Sequence, residues 1–323
     1  MTTFVDNSAV HVAVAVVFNP QGDVLISRRA EYLHQGGKWE FPGGKVEPGE
    51  TAFQALQREL LEELGVGLQR ADPLVQIPYA YDDKKVFLDV WVSKGYSGAV
   101  ESREGQPWRW LPLSQLEDYE FPAANQGIID SLLLPREYVI TPEPEDQQSF
   151  LEQLSQVLRS GIKMLQLRCK TLSRKQYLDL AVQVAEQCRD QGVLLFLNGD
   201  PDLLSQVSAD GLHLSSFWLQ QLRSRPDVRW VSAACHNAEE LNKAQTLGVN
   251  CVLASPVQAT QSHPWAHPLG WDGFENLVNQ ARVPVYALGG IKPSDLQQIR
   301  QRGGQGVAGI RGFWGPTNPN PNP

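Results

Sequence analysis

The sequence is short of cysteine, of long apolar runs and of positive charge. Its 323 residues include four cysteines, none in a C-x-x-C pair, so we expect buried reduced thiols rather than disulfides or a cysteine metal site. No eighteen successive residues are apolar, which predicts no membrane-spanning helix. The first twenty residues lack a basic start and include Asp6 and His11. We therefore expect a first strand rather than a signal peptide, and a cytoplasmic protein.

The formal net charge is −8, and the acidity lies in the first half of the chain. Residues 1–136 hold 12 Lys and Arg against 19 Asp and Glu, whereas the remainder holds 16 against 17. An acidic surface repels polyanions, which argues against direct binding of nucleic acid. If this half nonetheless handles phosphate groups, it needs a bound cation to offset their charge.

The length of the chain favours two domains, with one large domain as the alternative. We predict a mixed α/β domain over residues 1–134 and a second domain over residues 137–314, because Pro135 interrupts a helical pattern and a proline-rich stretch follows. Residues 315–323 are low in complexity and are expected to be disordered. The sequence leaves the oligomeric state open.

Apolar runs at His11–Phe18 and Val24–Arg29 flank a turn sequence, which predicts a β-hairpin near the start of the chain. Further strands and helices of the first half are predicted at Val86–Ser93 and Trp108–Leu113 (strands) and at Thr51–Leu64 and Ala123–Leu134 (helices). Gly65 is expected to end the first of these helices.

The second half alternates short apolar runs with helical patterns such as Arg174–Gln191 and Ala238–Leu247. The eight apolar runs are Tyr138–Ile140, Lys163–Leu167, Leu194–Leu197, Gly211–Leu214, Trp230–Ala233, Cys251–Ala254, Val285–Leu288 and Val307–Ile310. Eight strands in regular alternation with helices predict a small (βα)8 barrel, with an open doubly wound sheet as the alternative.

Glu59, Glu62 and Glu63 are spaced so that they share one face of the first predicted helix. They form either a solvated face paired with basic neighbours or an oxygen-rich site for Mg²⁺, with Mn²⁺ as the alternative ion. The preceding segment FPGGKVEPGE favours the metal site. Its glycines allow close backbone approach, so that its carbonyls can join the carboxylates around a metal.

The pattern of Gly44, five residues, Glu50, seven residues and then RELLEELGV resembles the box of the Nudix family at every fixed position. The resemblance implies metal-assisted substitution at phosphorus in a nucleoside diphosphate linked to another group. It implies metal binding by the three glutamates and the carbonyl of Gly43. One of the glutamates, or a carboxylate from a later loop, would help to activate water. Arg58 would hold Glu47 or Glu50 in place.

Two further segments, LISRRAEYLHQGGKWEFPGGK and REGQPWRWLPLSQLEDYEFPAANQGII, resemble the MutT-type Nudix hydrolases. The likeness covers nearly the whole first half and implies an α/β/α sandwich with a mixed sheet. It implies hydrolysis of 8-oxo-dGTP to 8-oxo-dGMP and diphosphate, with a broader nucleoside triphosphate pyrophosphatase as the alternative.

Several residue roles follow from this resemblance. Glu104 would be a further carboxylate near the metal, and Asn125 would read the base, because one amide can face both O6 and N7–H of 8-oxoguanine. Phe41 and Tyr81 would line the base pocket, and Arg29 would contact sugar or phosphate. The alternatives are a helix N-cap for Asn125, plain core packing for Phe41, a solvated charge for Glu104 and a surface ion pair for Arg29.

In the second half, MLQLRCK, LFLNGD, ADGLHLS, ACHN and VYALGGIKPSDL resemble thiamine-phosphate synthase and its TenI-like relatives, which are (βα)8 barrels. The resemblance implies that Arg168 and Lys170 meet a diphosphate. It also implies a phosphate site at Gly289 and Gly290, where backbone N–H groups precede a helix.

Other positions depart from the synthase pattern. Gly199 follows Asn198 where the synthases carry an aspartate, Asp200 lies one place late, and the acidic residue expected after the His-Leu motif is missing from HLSSFWLQ. Ala234 replaces a serine, and ATQSHPWAHP replaces a threonine-rich loop with a lysine. Losing two carboxylates removes most of a Mg²⁺ site. We therefore expect an accessory domain that binds a phosphorylated small molecule.

One alternative for the barrel stays open, namely a bifunctional or regulatory protein of thiamine metabolism with synthase or thiazole tautomerase activity in the barrel. In that case His236 would transfer a proton, whereas otherwise it is a hydrogen-bonded histidine at the barrel mouth. His263 and His267 lie in a proline-rich loop and are not expected to bind a metal.

Overall fold

The computed structural model describes residues 8–260 and 267–314. The chain divides into two compact units, one formed by Met1–Leu134 with Val278–Pro284 and the other by Pro135–Leu277 with Val285–Pro323. No helix within the described ranges is both long and apolar enough to cross a lipid bilayer. The predicted tail at 315–323 and His263 lie outside the described residues.

The first unit places strands and helices in layers. Its strands are β1 (Val10–Val16), β2 (Val24–Arg28), β3 (Trp39–Glu40), β4 (Gly43–Lys45), β5 (Gly67–Leu68), β6 (Ala71–Ala80), β7 (Lys85–Ser93), β8 (Tyr96–Ser97) and β9 (Trp108–Leu111). Its helices are α1 (Ala52–Leu64) and α2 (Gln126–Leu133). One sheet has the order β4-β1-β7-β6, a second has the order β3-β2-β9, and β5 pairs with β8. The first sheet is mixed, because β1 runs parallel to β7 and antiparallel to β4.

Both faces of β1 are buried, which explains its unbroken apolar run. Ala13 and Ala15 face a core that includes Leu56 and Leu60 of α1, whereas Val14 and Val16 face the opposite core. Small side chains lie on the face that the helix covers. The second core includes Ile128 and Ile129 of α2, so a helix covers each side and the predicted α/β/α sandwich is confirmed.

The predicted hairpin of the first two strands is wrong. The chain does reverse between them, where Asn19 accepts the backbone N–H of Asp23, but only an isolated bridge between Phe18 and Val24 joins the strands. Beyond that bridge β1 and β2 separate into different sheets, since β1 pairs with β7 and β2 with β9.

The second unit is the predicted closed barrel of eight parallel strands in chain order. The strands are β10 (Glu137–Ile140), β11 (Met164–Leu167), β12 (Leu194–Asn198), β13 (Gly211–Leu214), β14 (Trp230–Cys235), β15 (Cys251–Ala254), β16 (Val285–Leu288) and β17 (Gly306–Gly309). The helices are α3 (Gln147–Arg159), α4 (Arg174–Asp190), α5 (Ser216–Gln221), α6 (Ala238–Leu247), α7 (Gly270–Val278) and α8 (Leu296–Gln301). The alternative of an open sheet is excluded.

Nearly all residues of the barrel strands are buried, as expected where helices cover the outside and side chains fill the inside. Tyr138 packs against Phe196 and Tyr286 in the interior, with ring centroids 5.2 and 5.5 Å away. All four cysteines are free: Cys188, Cys235 and Cys251 are buried and Cys169 is half-buried. The expected burial thus holds for three of the four cysteines, and Cys169 is the exception.

Candidate functional site

Helix α1 has well-defined ends, which fix the register of its glutamates. Thr51 is the N-cap and forms a capping box with Gln54, and Gly65 ends the helix in the left-handed conformation. The apolar stripe that includes Leu56 and Leu60 is fully buried, so the acidic residues point away from the core.

The glycine loop brings its backbone against α1 and β1. Gly43 has φ 149° and lies so close to β1 that a Cβ would stand 2.2 Å from the carbonyl oxygen of Ala13. At Gly44 a Cβ would stand 2.1 Å from the carboxyl group of Glu59. Only glycine fits at Gly43, where the obstacle is backbone, whereas a side chain at Gly44 would displace the Glu59 carboxyl group. The two glycines thus bring the loop next to Glu59, as a shared site requires.

Arg58 ties the loop to the helix. Its Nη2 donates to Glu50 Oε1 at 2.7 Å and to the Lys45 carbonyl at 3.0 Å, and its Nη1 donates to Glu59 Oε1 at 2.8 Å and Glu62 Oε2 at 3.4 Å. The hydrogen bonds from Arg58, and then one from the Glu47 amide, lower the pKa of Glu50. Of the two predicted partners, the structure therefore brings Glu50 to Arg58.

A second group of carboxylates surrounds Glu63. Burial, and then the negative charges of Glu40, Glu59 and Glu104, raise its pKa to about 8, whereas Arg29 opposes them. Glu62 differs, because its side chain is 58% exposed and is held through Arg58. Of the predicted ligands, Glu59 and Glu104 thus lie near enough to Glu63 for their charges to act on its pKa.

Glu104 reaches this group because its loop is fastened to the end of α1. The backbone N–H of Arg103 donates to the Glu63 carbonyl at 2.9 Å, and Arg103 Nη1 donates to the Leu61 carbonyl at 2.9 Å. Gln106 Nε2 also donates to the Glu63 carbonyl, at 3.0 Å. Glu104 is exposed, yet its charge affects Glu63.

The residues fit a hard divalent cation in chemical type. Their donors are carboxylate and carbonyl oxygens, which Mg²⁺ and Mn²⁺ prefer. Burial, and then repulsion by neighbouring carboxylates, raises the pKa of Glu63, and a cation would relieve that repulsion. In the present arrangement Arg58 neutralises Glu59 and Glu62, and no three acidic, histidine or cysteine side chains within residues 8–260 and 267–314 stand close enough to hold a metal.

Asn125 precedes α2, and Tyr81 contacts the residue before Asn125. Asn125 is only 8% exposed, and its side chain makes no capping hydrogen bond, so the alternative of an N-cap is not supported. The hydroxyl of Tyr81 accepts the N–H of Ala124 at 3.3 Å. His34 packs edge-on against Tyr81, with ring centroids 4.8 Å apart.

Two further residues that were predicted to contact the nucleotide interact with other residues of the protein. Phe41 is buried and stacks on Phe121 at 5.5 Å, so it belongs to the core beside Val14. Arg29 pairs with Glu40 and donates from Nε to the His34 carbonyl at 3.0 Å. The ion pair is thus present, and contact of Arg29 with a substrate stays a prediction. Sequence reasoning missed Glu40, although it adjoins the Phe-Pro-Gly-Gly run.

In the barrel, Arg168 and Lys170 follow β11, at the carboxyl ends of the strands. Their loop is bound to the loop after β10, because the backbone N–H of Arg168 donates to Thr141 Oγ1 at 2.9 Å. Glu143 lies within the same loop pair and contacts both basic residues, which the sequence did not predict.

Gly289 and Gly290 both have positive φ after β16. A short 3₁₀ segment separates them from the six-residue α8, so the predicted helix N-terminus does not follow directly.

The histidine and aspartate near the barrel mouth have partners of their own. Asp200 pairs with Arg174 at 3.1 Å and accepts the N–H of Asp202 at 2.9 Å. The Nδ1 of His236 is hydrogen-bonded to the Ser255 carbonyl, and a proton-transfer role for His236 stays a prediction. His267 is exposed.

The barrel interior holds a buried polar group. Ser232 Oγ lies 2.9 Å from both Tyr138 Oη and His213 Nδ1. Gln166, 1% exposed, has a buried Oε1 without a hydrogen-bond partner in the described part of the chain. An unpaired buried acceptor costs about 1–3 kcal/mol, so a donor from a ligand would be favourable there.

Comparison with known proteins assigns both halves. The family model for the Nudix domain matches residues 13–131, and the model for thiamine monophosphate synthase matches residues 137–313. The 8-oxo-dGTP diphosphatase of Escherichia coli K12 is 38% identical over 121 residues, which are 38% of this chain and 94% of that protein. The thiamine-phosphate synthase of Fusobacterium nucleatum is 30% identical over 180 residues, which are 54% of this chain and 87% of that protein.

Solved structures also match. One from a study of MutT from Aliivibrio salmonicida and Vibrio cholerae is 32% identical with a TM-score of 0.35, and the match covers 39% of this chain and 97% of that one. The chain belongs to the thiamine monophosphate synthase family through residues 137–313 and to the MutT-like Nudix hydrolases through residues 13–131.

Proposed function

We propose that the Nudix half hydrolyses 8-oxo-dGTP to 8-oxo-dGMP and diphosphate, which removes an oxidised nucleotide before it enters DNA. Similarity to an 8-oxo-dGTP diphosphatase over 94% of that protein supports the substrate class. The observation that carries the choice of base is Asn125, which is buried and makes no capping hydrogen bond to α2. An enzyme that acts on free nucleotides would work in the cytoplasm without binding nucleic acid.

Asn125 has the chemistry to distinguish the oxidised base. Its amide offers both a donor and an acceptor, which can face O6 and N7–H of 8-oxoguanine. Guanine carries an acceptor at N7, so the carbonyl oxygen of the same amide would meet a second acceptor. A mismatch of this kind at a buried amide costs about 1–3 kcal/mol.

The acidic residues of α1 would serve hydrolysis. Glu59, Glu62 and Glu63 would hold Mg²⁺, or Mn²⁺ as the alternative, with Glu104 and the Gly43 carbonyl. When bound, the cation offsets phosphate charge, polarises phosphorus and lowers the pKa of the attacking water. One carboxylate takes the proton of that water, oxygen bonds to phosphorus, and an anhydride bond breaks. Arg58 keeps Glu50 and Glu59 in place through its hydrogen bonds.

A kinetic ratio tests the substrate. The full chain should show a much higher kcat/KM for 8-oxo-dGTP than for dGTP, measured by chromatography of the monophosphate products with Mg²⁺ present. A ratio near one would replace this substrate with the broader class of nucleoside triphosphates and would leave the metal site untouched.

For the barrel we propose an accessory domain that binds a phosphorylated small molecule. Arg168 and Lys170 supply positive charge at the carboxyl ends of the strands, where ligands of such barrels bind. The unpaired Oε1 of Gln166 on the preceding strand adds a place for a ligand donor.

The second candidate is a bifunctional enzyme that also makes thiamine phosphate, and similarity over 87% of a thiamine-phosphate synthase favours it. Against it stand Gly199 in place of an aspartate and the pairing of Asp200 with Arg174. Incubating the full chain with both synthase substrates and assaying thiamine phosphate decides between the two, because the accessory proposal predicts no product above background.

A further inference from the structure

The loop after β10 inserts a carboxylate into a pocket of hydrogen-bond donors in the loop after β11. Glu143 accepts the backbone N–H of Lys170 at 2.9 Å and 3.0 Å to its two oxygens. Its Oε2 also accepts the backbone N–H of Thr171 at 3.3 Å and the Thr171 hydroxyl at 3.1 Å. The guanidinium of Arg168 stands 3.7 Å from Oε1. Two successive amides, a hydroxyl and a cation thus surround one anionic group.

This set of donors is an anion pocket. Successive backbone N–H groups that point to one spot form a concave positive site, and a nearby guanidinium strengthens it. A phosphoryl group has the same acceptor chemistry as a carboxylate and carries more charge. The pocket would therefore take a phosphoryl group if Glu143 were absent.

The position of Glu143 is set by the backbone and not by its side chain alone. Pro142 and Pro144 flank it, and proline fixes its own φ and restricts the residue before it. Thr141 adds a second link, since its Oγ1 exchanges hydrogen bonds with the backbone of Arg168. The loop can thus stay in place while the Glu143 carboxylate leaves by side-chain rotation alone.

We propose that Glu143 is an internal occupant of the barrel's anion site and that a phosphorylated ligand must displace it to bind. The chain's own carboxylate then competes with every anion. Ligands with a diphosphate or several phosphoryl groups are favoured over singly charged ones, because they gain more from Arg168, Lys170 and the two amides. The inference rests on the proposed accessory function. It adds that Glu143 limits how readily a ligand occupies the anion site.

The test is the binding of inorganic diphosphate to the full chain by calorimetry, with EDTA present so that no cation links diphosphate to the Nudix half. Glu143→Gln removes the negative charge and keeps an oxygen that accepts the same N–H groups, so its fold should persist. We expect affinity to rise roughly tenfold or more, since the charge that repels the anion at contact distance is gone. Glu145→Gln is the matched control, because Glu145 is exposed in the same loop and the net charge changes equally.

Two further variants locate the site and guard against misfolding. Adding Arg168→Gln to Glu143→Gln should abolish the increase in affinity for diphosphate. Glu143→Ala should bind diphosphate at least as tightly as Glu143→Gln. Thermal melting of each variant checks the fold. A merely structural Glu143 would lower the melting temperature on substitution without raising the affinity.

The outcomes distinguish competition by Glu143 from the accessory binding function on which it rests. Tighter binding by Glu143→Gln alone, lost with Arg168→Gln, supports both. Equal binding by wild type and Glu143→Gln that still needs Arg168 overturns the competition and leaves the accessory function intact. Absence of binding by every folded variant overturns both.

Discussion

Replacing Glu59 by glutamine should separate catalysis from stability in the Nudix half. Glu59 lies against Gly44 and accepts a hydrogen bond from Arg58, and its side chain is 17% exposed. Glu59→Gln keeps the shape and an acceptor for Arg58 but removes one negative charge. The structure therefore predicts a large loss of turnover and a small change in the free energy of unfolding.

The expected effect on stability is small because two contributions oppose each other. A hydrogen bond to a charged group contributes about 1.5–3 kcal/mol when it is well shielded and less where water reaches it, and glutamine retains part of it. Against this loss, the charge of Glu59 helps to raise the pKa of Glu63, so removing it relieves repulsion. We expect the free energy of unfolding to change by no more than about 1 kcal/mol.

The expected effect on turnover is large. Losing one oxygen ligand that acts on the transition state should lower kcat roughly 10²–10³-fold, or about 3–4 kcal/mol. The assay measures diphosphate release from 8-oxo-dGTP over a series of Mg²⁺ concentrations, with urea unfolding of the same samples. Glu101→Gln is the control, because Glu101 is exposed in the loop that carries Glu104. Wild-type kcat for Glu59→Gln at saturating Mg²⁺ would refute the assignment of Glu59 as a ligand.

Three other predictions test separate parts of the structure. Asn125→Ala should reduce the preference for 8-oxo-dGTP over dGTP by roughly 5–150-fold, as the loss of about 1–3 kcal/mol requires, and an unchanged kcat/KM ratio would reject that role for Asn125. Leu60→Ala should lower the free energy of unfolding by about 2–5 kcal/mol in urea titration, because Leu60 is fully buried between α1 and β1, and a loss below about 1 kcal/mol would contradict that packing. Burial, and secondarily the charge of Arg168, lowers the pKa of His213 to about 3. Between about pH 6.5 and 3 the unfolded chain therefore binds a proton that the folded chain excludes, so the free energy of unfolding falls as pH drops through this range. His213→Asn should flatten that dependence of unfolding on pH relative to wild type, and parallel curves would show that His213 does not cause it.

Strong periodic signals predicted most of the fold. All eight barrel strands were predicted, because each is a short run buried on both faces and bounded by helical patterns. Helix α1 was predicted to within a residue, since Thr51 and Gly65 are distinct caps. The domain limits at 134 and 137 stay a prediction.

Strand β6 could not be predicted, because Pro73 and Pro78 lie within it and proline argues against a strand. The sheet tolerates both prolines since β6 is an edge strand, and its register shifts between Pro73 and Val75. The wrong prediction of a hairpin between β1 and β2 also arose because local sequence does not determine strand pairing. Turn chemistry at Asn19 predicts a reversal of the chain, but only long-range pairing decides which sheet each strand joins.

The candidate site was predicted only where its residues are close in sequence. Helical spacing placed Glu59 and Glu63 together without any structure. Glu40 was missed because its approach to Glu63 depends on the packing of strand β3, far from α1 in sequence. Glu143 was missed because its flanking prolines are typical of a linker, and its donors lie more than twenty residues further along the chain.

The central claim is that crowded carboxylates on α1 serve a cation that enables attack on a nucleotide anhydride. The most direct measurement follows 8-oxo-dGTP by ³¹P NMR with the purified full chain, first in EDTA and then after addition of Mg²⁺. The account predicts no change in EDTA, and 8-oxo-dGMP and diphosphate in equal amounts once Mg²⁺ is present. Equal hydrolysis in EDTA, or an intact triphosphate at saturating Mg²⁺, would contradict it.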